Sequence, residues 1–175
     1  MSAAVEVVVR HLVMRSPEAH RPSGRRADGI VVRCEPDATR GAVARECYHR
    51  VGARWSWTDR AHWEAEEWEA LLAERDGEVW VAWAGDDLVG YAMLLRVDRD
   101  VEVQYFGLVP EWIGRGAGGW LLDRAVERAW ALSPQRVRLE TCTLDGPAAL
   151  PNYLRRGFEV VREEHRMKDR VHGPG

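Results

Sequence analysis

Apolar residues run from Val5 to Met14 and predict a strand, followed by a breaker-rich loop from Ser16 to Gly24. Ile30 to Cys34 predicts a second, short strand ended by Pro36. Asp37 or Thr39 can cap a helix running to about Val51, and Thr58 a helix over 60–75. On that second helix Ala61, Ala65, Trp68 and Leu72 share the apolar face, with Trp63 on about the opposite side. Glu78–Ala84 and Val89–Val97 flank Gly85-Asp86-Asp87-Leu88 and predict a hairpin, and Val101–Leu108 adds a strand that stops before Pro110. From Gly116 the period becomes helical: Leu121, Leu122, Ala125, Val126 and Ala129 lie opposite Asp123, Arg124, Glu127 and Arg128. Arg136–Thr143 alternates again, with Val137, Leu139 and Thr141 on one side. Pro147–Arg156 predicts a short helix stopped by Gly157, and Phe158–Val161 with Arg166–Lys168 a last strand. This succession predicts an α/β protein with a mixed sheet. Residues 171–175 are expected to fray.

Composition narrows the function more than it refines the fold. A chain of 175 residues suits one domain, so residues 1–29 are expected to add a strand and loop to the domain formed by 30–170. A formal charge of −3 lacks the basic excess of a nucleic-acid binder. The longest apolar run, Val79 to Ala84, falls far short of the roughly 20 residues of a membrane span. Met1 to Val9 lacks the basic start of a secretory signal. Cys34, Cys47 and Cys142 form no close pair, which speaks against a metal site or disulfide framework and fits a reducing cytoplasm. The anomaly is nine tryptophans beside two phenylalanines.

The most informative stretch is Leu108-Val109-Pro110-Glu111-Trp112-Ile113-Gly114-Arg115-Gly116-Ala117-Gly118-Gly119, between a strand and an amphipathic helix. Residues without Cβ let a ligand approach the main chain, and the free amides and dipole of a helix start suit phosphate. A flexible turn is the plainer reading. A P-loop needs Gly-Lys-Ser/Thr, which is absent, and a dinucleotide loop normally follows the first strand, whereas this one follows several.

The order strand, Leu108-Val109-Pro110, Gly114-Arg115-Gly116-Ala117-Gly118, helix resembles the acetyl-CoA loop of the GNAT superfamily of N-acyltransferases. Gly116 and Gly118 match the family's two small positions, and Ile113 stands where the family has Gln or Arg. Ala149-Leu150-Pro151-Asn152-Tyr153-Leu154-Arg155-Arg156-Gly157-Phe158 is similar to its Ala-x-x-x-Tyr-x-x-x-Gly-Phe segment, with Gly146 at the usual Asn position. The resemblance implies a mixed, mostly antiparallel twisted sheet flanked by helices. It also implies that the sheet is splayed around acyl-CoA between the strands at Val101–Leu108 and Arg136–Thr143. It places the amides of Gly114, Arg115, Gly116, Ala117, Gly118 and Gly119 on the pyrophosphate, and the main chain of Leu108 and Val109 along the pantetheine arm.

Acyl transfer to an amine wants a base for an ammonium of pKa about 10.4 and an acid for a thiolate whose thiol lies near 8.5. By position in the resembled motifs Glu102 is the candidate base and Tyr153 the candidate acid; a surface glutamate and a core tyrosine are the plainer alternatives. On simple alternation Glu102, Gln104 and Phe106 share one face, and Gln104 is a candidate for holding the acceptor. Trp55, Trp57 and Trp63 fall where the family binds its acceptor and could stack on an organic amine, or seal a core or interface instead. Glu64, Glu66, Glu67 and Glu69 read as a solvated face or as an attractor for a cationic acceptor, and Cys142 as buried and inert.

The expectation is therefore a cytoplasmic, metal-free, acetyl-CoA-dependent N-acetyltransferase acting on a small-molecule amine, without nucleic-acid or membrane partners and compatible with a homodimer. A protein N-terminus or lysine is the alternative acceptor. A non-catalytic acyl-CoA-binding sensor or scaffold is the alternative function.

Overall fold

The computed structural model describes residues 3–170; the expected frayed tail lies outside them. In chain order the elements are β1 (Ala3–Met14), β2 (Val31–Cys34), α1 (Arg40–Gly52), α2 (Ala65–Glu74), β3 (Glu78–Ala84), β4 (Asp87–Val97), β5 (Asp100–Leu108), α3 (Ala117–Ala131), β6 (Val137–Cys142), α4 (Ala149–Arg155) and β7 (Glu159–Arg170). They build one seven-stranded sheet in the order β2-β3-β4-β5-β6-β1-β7. Every neighbouring pair is antiparallel except β5–β6, which is parallel, so the sheet is mixed and mostly antiparallel, as expected.

Two apolar layers sandwich it. Tyr48, Val51, Trp68 and Leu72 of α1 and α2 pack with Val81, Tyr91 and Met93 on one face. Leu122 and Val126 of α3 pack with Leu12, Leu94, Val103, Val137 and Tyr153 on the other. Burying a large apolar side chain contributes about 1.5–3 kcal/mol, so these layers carry the fold.

Three local features depart from simple patterning. The helix expected over 60–75 begins at Ala65, because Glu64 and Glu67 form a capping box there; Thr58 to Trp63 instead form turns closed by Ala61 N–H to Thr58 O and Trp63 N–H to Arg60 O. Met93 pairs with Tyr105 but Leu94 with Val103, so Gln104 is an extra residue on β5. The bulge turns Phe106 to the α3 face, away from Glu102, and corrects the alternation expected for these residues. The last strand is continuous, accommodating a bulge opposite His11/Leu12.

Candidate active site

β5 and β6 are hydrogen-bonded only where Val101–Val103 meets Val137–Leu139. Beyond those residues they part, and a cleft of about 1360 Å³ runs through the gap from one face of the sheet to the other.

The glycine loop forms one end. Gly114 and Gly116 have φ of 80° and 87°, the left-handed region that side chains avoid. Gly116 caps α3, so Ala117, Gly118 and Gly119 occupy its first turn. A helix offers no carbonyl of its own to these amides, and no other described residue takes them up. Gly114, Gly116, Gly118 and Gly119 line the cleft beside Arg25, Arg155 and Arg156. Amides at a positive helix end among guanidinium groups can hold a phosphate polyanion.

A buried acid braces this end. Asp123 was expected on the polar face of α3 but is 3% exposed. Its carboxylate accepts from the Ser23 N–H at 2.8 Å and the Ser23 hydroxyl at 2.6 Å, and lies 3.3 Å from His20 Nε2 and 3.7 Å from Arg156 Nε. It thereby ties the 16–25 loop and the end of α4 to α3, next to the glycines.

Some residues from the same motif lie elsewhere. The Arg115 guanidinium sits 3.8 Å over the Trp112 ring, and the Ala117 side chain is core. Val109 is 2% exposed, its N–H donates to Val89 O at 3.0 Å and its carbonyl accepts from Trp112 N–H at 3.0 Å. Its N–H is therefore committed within the protein. Leu108 does line the cleft.

Glu102 and Tyr153 reach the middle of the cleft from opposite faces of the sheet. Glu102 is aligned with Arg138 across the parallel pair and accepts from its Nε at 2.8 Å. The Tyr153 ring lies between Phe106 and Phe158, at 6.3 and 6.2 Å, and burial pushes its phenol well above the usual range. No described residue hydrogen-bonds its hydroxyl. Gln104 on the bulge also lines the cleft. Cys142, expected to be buried, is a half-buried lining residue whose thiol is pushed up, chiefly by burial.

The far end is aromatic. Trp57 lies 5.0 Å from Tyr105 and 5.6 Å from Tyr48, Trp63 lies 5.1 Å from Trp68, and Trp55 covers Gly146. A Cβ at Gly146 would stand 2.8 Å from the Trp55 ring, so the glycine makes room for it. Trp55, Trp57 and Trp63 all line the cleft. The glutamates of α2 do not: Glu64 and Glu67 cap the helix, and Glu69 pairs with Arg40 at 2.7 Å.

The model of the Acetyltransferase (GNAT) family matches residues 42–158, well over half of the chain. The chain belongs to the GNAT family. Acyl-CoA-dependent acetyl transfer is the general chemistry of that family, which generally uses acetyl-CoA. Among solved structures this GNAT chain resembles a GCN5-related N-acetyltransferase from Sphaerobacter thermophilus, at TM-score 0.73 and 16% identity, over 96% of this chain and 53% of that one. It also resembles a GNAT-family protein from Novosphingobium aromaticivorans (TM-score 0.61, 16% identity, 94% of this chain and 65% of that one). A third match is an aminoglycoside acetyltransferase from an uncultured soil metagenomic sample in complex with sisomicin, at TM-score 0.61 and 12% identity, over 74% of this chain and 88% of that one. The chain thus spans about half to two thirds of the first two, and these likenesses concern the fold. No curated protein matches the sequence. Among the described residues no helix is long and apolar enough to cross a membrane.

Beside Glu102 the GNAT cleft carries a charge network that strand patterning did not reveal. His11 Nδ1 lies 3.1 Å from Glu140, and its Nε2 lies 3.1 Å from Arg162 and 3.5 Å from Glu164. Burial, reinforced by Arg162 and Arg166 against Glu140 and Glu102, lowers the pKa of His11 below its ordinary 6.5. The unfolded chain therefore takes up this proton first, and stability is lost as pH falls below about 6.5. Chemical denaturation at pH 7.5 and 5.5 should show a smaller loss on acidification for His11→Gln than for the parent; an equal loss contradicts the assignment.

Proposed function

We propose that this GNAT domain acetylates the primary amine of a small molecule carrying an apolar or aromatic portion, by direct attack in a ternary complex. One observation carries the reading: a carboxylate, Glu102, and an unpartnered phenol, Tyr153, meet in one cleft from opposite faces, between an anion-binding loop and an aromatic lobe. Acetyl-CoA, when bound, supplies the activated thioester. The amides of Ala117, Gly118 and Gly119, with Arg25 and Arg156, fit its diphosphate. Along the pantetheine arm Leu108 lines the cleft, the Val109 N–H already donates to Val89 so that only its carbonyl could accept further, and the Arg115 guanidinium lies on Trp112.

Glu102 takes the proton of the incoming ammonium, directly or through water. Arg138 fixes the orientation of the carboxylate through its Nε donor. Tyr153 keeps its own proton at neutral pH because burial disfavours the phenolate. Full proton transfer from so weak an acid to a thiolate of parent pKa about 8.5 is uphill. Its contribution is therefore a hydrogen bond to the sulfur that strengthens as charge develops there.

Release of free thiol from acetyl-CoA across a panel of amines tests this. Tyr153→Phe is expected to lower kcat by about 10²-fold, the scale of losing one oriented donor, with acetyl-CoA affinity retained. Full turnover in that variant overturns the assignment of Tyr153. Tight acetyl-CoA binding without product from any amine, or from peptide N-termini and lysines, shows a non-catalytic binding module instead.

A further inference from the structure

The carboxylates lining the cleft are all engaged. Asp59 lies 3.8 Å from Lys168, Glu102 2.8 Å from Arg138, and Glu140 3.1 Å from His11 and 3.7 Å from Arg166. Asp145 accepts from the Thr141 hydroxyl at 2.6 Å and the Cys142 N–H at 2.9 Å. Among the described residues, one half-buried cation of the aromatic lobe has no carboxylate partner. Arg60 is half-buried and lines the cleft, yet no carboxylate of the described residues comes within ion-pair distance of it.

Arg60 is nevertheless held in place. Its N–H donates to the Tyr48 hydroxyl at 3.1 Å, its Nη1 donates to the Tyr105 hydroxyl, and its guanidinium lies 4.8 Å over the Trp63 ring. Tyr105 cannot neutralise it, because burial pushes that phenol up to about 12. A half-buried guanidinium without an ion-pair partner and with most of its fork free matches a carboxylate in shape and charge.

We infer that Arg60 binds a carboxylate of the acceptor, so that the amine acetylated is an aromatic amino acid or a related amine bearing one carboxylate. This rests on the acetyl-transfer reading above for the reaction, though the carboxylate site stands on its own contacts. Trp55 and Trp57, which line the same cleft, give the aromatic portion its surface, while Trp63 holds the guanidinium. Asp59 is left to Lys168 and Glu102 to Arg138, so neither competes for Arg60.

The test compares kcat/KM for phenylalanine with that for phenethylamine in the parent, Arg60→Gln and Arg60→Lys. Comparing the ratio between proteins cancels the intrinsic reactivity of the two amines. The phenylalanine-to-phenethylamine ratio is expected to fall about 10- to 100-fold in Arg60→Gln, the size of a lost charge-assisted hydrogen-bond pair, and less in Arg60→Lys. A second measurement follows tryptophan fluorescence with 3-phenylpropanoate, which has the carboxylate and no amine, in the presence of CoA. Its affinity should weaken at least tenfold in Arg60→Gln. Arg60-dependent binding without turnover of any amine upholds the carboxylate site while refuting the acetyl-transfer reading. A ratio unchanged within twofold, or phenylpropanoate binding that is absent or indifferent to Arg60, overturns the inference.

Discussion

Glu102→Gln is expected to lose about 10²- to 10⁴-fold in kcat/KM near pH 7.5, the range typical for removing a positioned general base. The loss should shrink as the pH rises. For an alkylamine acceptor, whose ammonium has a pKa of about 10.4, roughly one part in 10³ is free base near neutrality, and each added pH unit multiplies that fraction about tenfold. A protein without its base depends on that fraction, so its rate should climb steeply toward pH 9.5 while the parent climbs less. The replacement amide can still accept from Arg138 Nε, which now bonds the carboxylate at 2.8 Å, so the β5–β6 junction should keep its geometry. Parallel pH–rate profiles for the two proteins would show that Glu102 moves no proton, whatever the size of the rate difference.

The strands and helices were legible because each buries one face and the hydrophobic period records it. The motifs were legible because a helix start without side chains and the Tyr-x-x-x-Gly-Phe segment are local. What escaped is non-local. The Gln104 bulge turns Phe106 to the other face, and it exists only as a mismatch between β4 and β5. The start of α2 was misplaced because Thr58 is as good a cap as any in isolation, while the Glu64–Glu67 box holds the true start. Asp123 looked solvated on its helix and is buried by a loop 100 residues earlier. Arg60 carried no signal at all: it sits in turns without a period, and its meaning comes from partners on α1 and β5.

Gly118→Val is expected to weaken CoA binding by 100-fold or more while leaving thermal stability close to the parent. Gly118 lies in the first turn of α3, where a Cβ would meet Leu108 Cδ1 at an ordinary 3.5 Å. A helical backbone tolerates valine better than glycine, so the substitution costs little locally. Its methyl groups, however, would stand over amides that a diphosphate must reach, and each forfeited hydrogen bond to a charged group is worth about 1.5–3 kcal/mol. Gly116→Val should lose binding too, but for two reasons at once: at φ of 87° a β-branched residue is strained. Such strain costs about 1–3 kcal/mol, which for a domain of this size lowers Tm by about 2–4 °C per kcal/mol. The pair therefore separates cradle from scaffold, since both variants lose the ligand and only one loses stability. Calorimetric titration with CoA decides it: parent-like affinity in Gly118→Val would place the diphosphate away from this helix, and with it the thioester away from Tyr153.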